Sequence, residues 1–264
     1  MMKKAVNILG GWQTEAMKNP SLLELAALSE AVYDNIDSVG VDGKPATAMP
    51  ALARPAAGLP ARLSPAKIIW ARQSKWWNRL GFYAALYSRQ PDGKRVLAFR
   101  GTDEFWTDGL IDDVSVAAGA PPPQAAAAFQ VARDARLPED SFLTGHSLGG
   151  ALAIIAGARL GLPVVTFNAP GVMDSCVVAN AAYPGTFGRI VDAVARCFTG
   201  RRMWNIRIPE DPVSSFFTTG FQPGKRIELS APECSALNVK CRHGIGTCVE
   251  LVKKRTDAHD EVKL

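Results

Sequence analysis

Phe142-Leu143-Thr144-Gly145-His146-Ser147-Leu148-Gly149-Gly150-Ala151-Leu152-Ala153 joins a short apolar run to an alanine-rich segment through a G-x-S-x-G turn. An apolar run of that length reads as a buried strand, and the alanine-rich continuation reads as a helix. A serine between them has its hydroxyl pushed out of the sheet edge, which makes Ser147 a candidate nucleophile. Small residues at Gly145 and Gly149 allow the close backbone approach that such an elbow demands. The helix that follows points its N-terminal amides at any anion formed beside the serine.

A serine nucleophile needs a base, and the chain has three histidines, His146, His243 and His259. His146 adjoins the nucleophile, where its side chain diverges from Ser147, so it reads as a packing or hydrogen-bonding residue. His259 lies in a charged segment read as a solvated tail over residues 253–264. His243, in the glycine-bearing stretch Cys241-Arg242-His243-Gly244-Ile245-Gly246, is the candidate base. A carboxylate must then hold its imidazole in the useful tautomer. In elbow-type hydrolases the acid falls between serine and histidine, in a loop beyond a later strand. Trp204-Asn205-Ile206-Arg207-Ile208 alternates like a strand and ends at Pro209-Glu210-Asp211-Pro212, which favours Asp211; Glu210 and Asp174 compete with it. Oxyanion donors are expected from the Leu148 amide and from Thr102, which follows the apolar run Val96-Leu97-Ala98-Phe99.

Phe99-Arg100-Gly101-Thr102, Gly145-His146-Ser147-Leu148-Gly149-Gly150-Ala151 and Glu210-Asp211-Pro212-Val213, in that order and followed by a histidine, resemble the class 3 (fungal-type) lipases of the α/β-hydrolase superfamily. The resemblance spans roughly residues 80 to 250. Trp106, followed by Asp108, Asp112 and Asp113, is similar to that family's tryptophan and aspartate. It implies triad roles for Ser147, Asp211 and His243, oxyanion roles for Thr102 and Leu148, and acyl-ester lipids as substrates. The chain departs from the family at Thr166-Phe167-Asn168-Ala169-Pro170-Gly171, which stands where a glycine-x-proline-arginine run is usual.

The expected architecture is one α/β domain over residues 1–264, with a mostly parallel central sheet flanked by helices. Ser21-Leu22-Leu23-Glu24 is a capping box opening a helix with Leu22, Leu25, Leu28 and Val32 on one face. Residues 81–88 and 96–99, linked through Gln90-Pro91-Asp92-Gly93, read as a hairpin, and residues 38–66 as a surface excursion. Residues 172–203 form a candidate lid insertion. Phe187, Ile190, Val191, Val194 and Phe198 share a helical face there, and both a lid and an ordinary core-packed helix fit that pattern.

A net charge of +5, from 30 basic and 25 acidic residues, is compatible with peripheral contact with an anionic membrane surface. Lys75-Trp76-Trp77-Asn78-Arg79 fits such an interface or a core edge. No basic stripe marks a nucleic-acid partner. The apolar part of the first ten residues is too brief for a secretory signal, and no run approaches the roughly 20 residues of a membrane span. The compartment is therefore left between cytoplasm and leaderless export. Five cysteines, Cys176, Cys197, Cys234, Cys241 and Cys248, read as buried free thiols, although a bridge among the last three would brace the His243 stretch. Neither metal nor organic cofactor is required by this chemistry. A peptidase or acyltransferase using the same serine, a non-catalytic binding module, and an exported phospholipase toxin with a neutralising partner are the competing readings.

Overall fold

The computed structural model describes residues 19–34, 82–88, 92–101, 122, 124–215, 221–235 and 237–257, and the backbone of strand 67–73. A seven-stranded sheet runs in strict chain order: β1 (Lys67–Gln73), β2 (Tyr83–Ser88), β3 (Arg95–Phe99), β4 (Phe142–His146), β5 (Val164–Phe167), β6 (Met203–Arg207) and β7 (Lys225–Glu228). β1, β2 and β3 pair antiparallel, so the expected hairpin is present, and β3 through β7 are parallel. β1 and β7 were not expected from the sequence. Lys225-Arg226-Ile227-Glu228 carries three charges and buries only Ile227, so an edge strand is built there without an apolar run.

Parallel strands in sequential order, joined by right-handed crossovers, put every crossover helix on the same face. That face holds α2 (Ala125–Asp134), α3 (Leu148–Leu160), α4 (Met173–Ala182) and α5 (Phe187–Thr199), whose Phe129, Leu152, Ile155 and Cys176 meet Leu97, Leu143 and Val164. The opposite face is closed by α1 (Leu22–Asp34) and the C-terminal α8 (Ile245–Asp257), which pack against each other over Tyr83, Val96, Val165, Phe167 and Ile206. Between β6 and α8 lie two short helices, α6 (Pro212–Ser215) and α7 (Val239–His243).

α1 begins at the expected capping box: the Glu24 amide donates to Ser21 Oγ at 3.2 Å and the Ser21 amide to Glu24 Oε2 at 2.5 Å. Leu22, Leu25, Leu28 and Val32 are buried as their spacing requires, each contributing about 1.5–3 kcal/mol of burial. Ser29 Oγ on this helix meets Thr144 Oγ1 of β4 at 2.8 Å, which fixes α1 across the strand that carries the elbow. α3 is buried on every side from Gly149 to Ala158, since α2, α4 and α5 cover it.

One expectation needs correction. The sequence reading left the cysteines as free thiols, but Cys176 bridges Cys197 and Cys234 bridges Cys241, leaving Cys248 as a buried free thiol. The fold brings these pairs to Cα separations of 5.8 and 5.6 Å, inside the range a disulfide spans. In α5, for which a lid and a core-packed helix were both open, Ala193 and Cys197 turn inward and the larger apolar residues do not. Phe187, Val191 and Phe198 are exposed, while Ile190 and Val194 are half-buried. The helix is fastened at one end by the Cys176–Cys197 bridge and by Arg196 Nη1 donating to the Ala158 carbonyl at 3.0 Å. The expected charged tail also begins inside α8, which runs to Asp257 and pairs Lys254 with Glu233 at 3.1 Å.

Candidate active site

Ser147 occupies the turn between β4 and α3 with φ 55° and ψ −132°. A non-glycine residue costs about 1–3 kcal/mol in such a region, and it persists only where the surroundings over-determine it. The surroundings do so here. A Cβ on Gly145 would fall 2.5 Å from the Gly149 carbonyl and 2.8 Å from the Gly150 nitrogen, and one on Gly149 would strike the Phe99 carbonyl and lie 2.7 Å from Arg100 C. Both glycines are therefore demanded by backbone packed against backbone. Leu148 opens α3, so its amide is among those first-turn N–H groups that have no partner within the helix. Thr102, Trp106, Asp108, Asp112, Asp113, Trp76, Trp77 and His259 lie outside the described residues. Gly101, immediately before Thr102, is described, and a Cβ there would sit 3.2 Å from Ser147 Cβ. The end of β3 thus runs directly beside the elbow.

Asp211 and His243 are brought together. His243 Nδ1 lies 2.9 Å from Asp211 Oδ1, and both side chains are buried. Local sequence explains the orientation of the acid: Asp211-Pro212 starts α6, with proline at its first position and the aspartate capping it. The Ser214 amide donates to Oδ2 at 2.9 Å and the Val213 amide to Oδ1 at 3.3 Å. The neighbouring candidates go elsewhere. Glu210 is exposed and pairs with Arg242 at 3.0 Å, and Asp174 is exposed on the first turn of α4.

His243 ends α7, which Asn238 caps through the Cys241 amide and the Cys234–Cys241 disulfide braces. Arg242 ties this element to the acid loop, donating to the carbonyls of Pro209 at 2.7 Å, Cys234 at 2.7 Å and Ser235 at 3.0 Å. Asn168, a buried residue at φ 47° after β5, adds a second tie. Its Nδ2 donates to the carbonyls of Arg242 at 2.8 Å and His243 at 3.1 Å, while its Oδ1 accepts the Ile208 amide at 2.9 Å. Sequence reasoning noticed the Asn168 stretch only as a departure from the family and missed its support of His243.

The His243 ring packs on that of His146, with centroids 4.7 Å apart, which brings it to the residue adjoining Ser147. Ser147 Oγ is buried and makes no hydrogen bond among the described residues. In ligand-free sites the nucleophile–base bond commonly tightens only around substrate. Among the described residues no cluster of histidine, cysteine and carboxylate side chains could hold a metal ion.

Burial, reinforced by the proximity of His243, pushes the His146 pKa down to about 3. An unfolded histidine takes its proton near pH 6.5, so between about pH 6.5 and 3 the unfolded chain binds a proton that the native chain refuses. Native stability therefore falls as pH drops through that window, by up to about 1.4 kcal/mol per pH unit. Urea denaturation at successive pH values should show this acid-side loss, and His146→Gln should reduce its slope.

The family match and the curated relatives make this an α/β-hydrolase of the class 3 lipase-like type, in keeping with its mostly parallel sheet and serine elbow. Within that class the chain belongs to the Tle-like phospholipase domain family, which residues 24–202 match. The match includes Ser147 and stops before Asp211 and His243. An extracellular phospholipase A1 of Serratia liquefaciens is 42% identical over 96 residues, which is 36% of this chain and 29% of that one. The match thus spans under a third of that relative's length. Among solved structures, a triacylglycerol lipase from Penicillium expansum covers 79% of this chain and 78% of its own at 17% identity and a TM-score of 0.42. The Rhizomucor miehei lipase covers 63% and 58% at 14% identity and a TM-score of 0.36.

Among the described residues no helix is long and apolar enough to cross a membrane.

Proposed function

We propose that this chain is a serine-dependent carboxylic ester hydrolase acting on acyl-ester lipids, with glycerophospholipid as the preferred substrate. The observation that carries the reading is the buried Asp211–His243 hydrogen bond beside an elbow serine held at positive φ. His243 removes the Ser147 proton as the hydroxyl attacks the ester carbonyl, and Asp211 orients the ring and stabilises the imidazolium. The Leu148 and Thr102 amides receive the oxyanion. His243 then protonates the leaving alcohol, and water releases the acyl group by the same steps in reverse roles. The preference for phospholipid is supported by the family match and by the phospholipase A1 relative.

Peripheral contact with a lipid surface belongs to the same reading. Phe187, 83% exposed, and Phe198, 61% exposed, stand out from α5 with Arg189 on the same helix, a pattern suited to an anionic interface. Two disulfides favour a chain that works in an oxidising compartment. The test is fatty-acid release measured side by side from phosphatidylglycerol vesicles, triglyceride emulsion and a short nitrophenyl ester. Release is expected to be fastest from the vesicles, with a lysophospholipid as co-product. No release from any ester would remove the hydrolytic reading.

A further inference from the structure

A chain of three hydrogen bonds behind the elbow is not used by the chemistry above. His146 Nε2 lies 2.6 Å from the His243 carbonyl oxygen. A carbonyl only accepts, so Nε2 carries a proton. The ring is neutral across the working pH range, because burial and the neighbouring His243 oppose its second proton. Nδ1 is therefore a bare acceptor. Tyr33 Oη stands 2.9 Å from that nitrogen and must donate to it, while the same oxygen accepts the Gly101 amide at 3.1 Å. Every donor and acceptor along the path is thereby fixed in one direction.

We propose that Tyr33 and His146 are positioning residues, a one-way strap from the Gly101 N–H through the Tyr33 hydroxyl and the His146 ring to the His243 carbonyl. The strap serves the Ser147–His243 chemistry and rests on that reading. One end fixes Gly101, the residue before the oxyanion candidate Thr102. The other fixes the backbone of the base. Its middle member adjoins the nucleophile in the chain, so serine, base and oxyanion strand are held as one body. A catalytic group misplaced by about 1 Å loses on the order of 100-fold in rate, which sets the scale of what the strap protects. The ends of the strap bond to the Gly101 amide and the His243 carbonyl, backbone groups that take no part in the proton transfer.

The polarity makes the proposal testable. A glutamine at position 146 can keep it, with the amide nitrogen donating to the His243 carbonyl and the amide oxygen accepting from Tyr33. A leucine cannot. With a soluble short-chain ester, Tyr33→Phe should lower kcat by roughly 10- to 100-fold while KM stays within about threefold. His146→Gln should retain clearly more kcat than His146→Leu. In the intact wild-type protein, nitrogen-15 NMR of labelled histidine should show the His146 ring protonated on Nε2 and bare on Nδ1. That pattern should persist between about pH 5 and 8, with Tyr33, His243 and Asp211 as the groups that face the ring. A His146 ring protonated on Nδ1, a ring that titrates near the ordinary imidazole pH, or a Tyr33→Phe variant with wild-type kcat would overturn the proposal. The spectrum needs no turnover. Absence of any esterase activity would count against the function proposed above, and the strap would still be judged by the tautomer.

Discussion

Ser147→Ala is expected to slow ester cleavage by roughly 10⁴-fold or more while leaving the fold intact. The elbow geometry makes the contrast sharp. Alanine keeps the Cβ, so the backbone at φ 55° remains just as constrained by Gly145, Gly149 and the end of β3. What disappears is an oxygen that is buried and makes no hydrogen bond among the described residues, so its removal strips no structural contact from the elbow. Initial rates on vesicles and on a short ester, together with a thermal melt, would check both halves. Retention of most activity would remove Ser147 from the mechanism, and with it the acyl-enzyme.

Asp211→Asn should cost about 10⁴-fold in kcat, the scale set by losing the carboxylate that fixes a catalytic imidazole's tautomer. Asp174→Asn should change kcat by less than about twofold, the ordinary outcome for an exposed carboxylate away from the site. The reasoning is local. The Asp211 carboxylate faces His243 Nδ1 with one oxygen and the Ser214 amide with the other. Asparagine is as good a helix cap as aspartate, so α6 keeps its start. Its amide can nevertheless turn an N–H toward the imidazole and select the wrong tautomer. If Asp174→Asn proved to be the inactive variant, the acid would have to be reassigned to α4. Kinetics of the two variants on one substrate would decide it.

What could be read from the chain was whatever a few consecutive residues determine. The elbow glycines, the capping box at Ser21 and Glu24, the hairpin and the proline-bounded aspartate are local devices, and each occurs where its chemistry predicts. The strap was not readable, because Tyr33 and His146 lie 113 residues apart and no periodicity links them. The same holds for Asn168 and the His243 carbonyl, 75 residues apart. α7 is only five residues long, too short for a hydrophobic period, so the stretch around His243 read as a loop. Disulfide connectivity was equally hidden, since spacing alone does not say which cysteines meet. α5 was left open for a different reason. Its large apolar residues form a well-spaced stripe, yet it is the small Ala193 and the bridged Cys197 that let the helix approach α3 and α4.

The strictly sequential strand order also governs when reactivity can appear during synthesis. The nucleophile and its crossover helices emerge early and can dock on one side of the sheet, but the other side, on which α1 lies from the start, is covered further only when α8 arrives beside that helix. His243 emerges only just ahead of that closing helix. On the proposed mechanism, a growing chain therefore holds Ser147 before His243 is there to take its proton, and the two come together only at the step that lays α8 against α1.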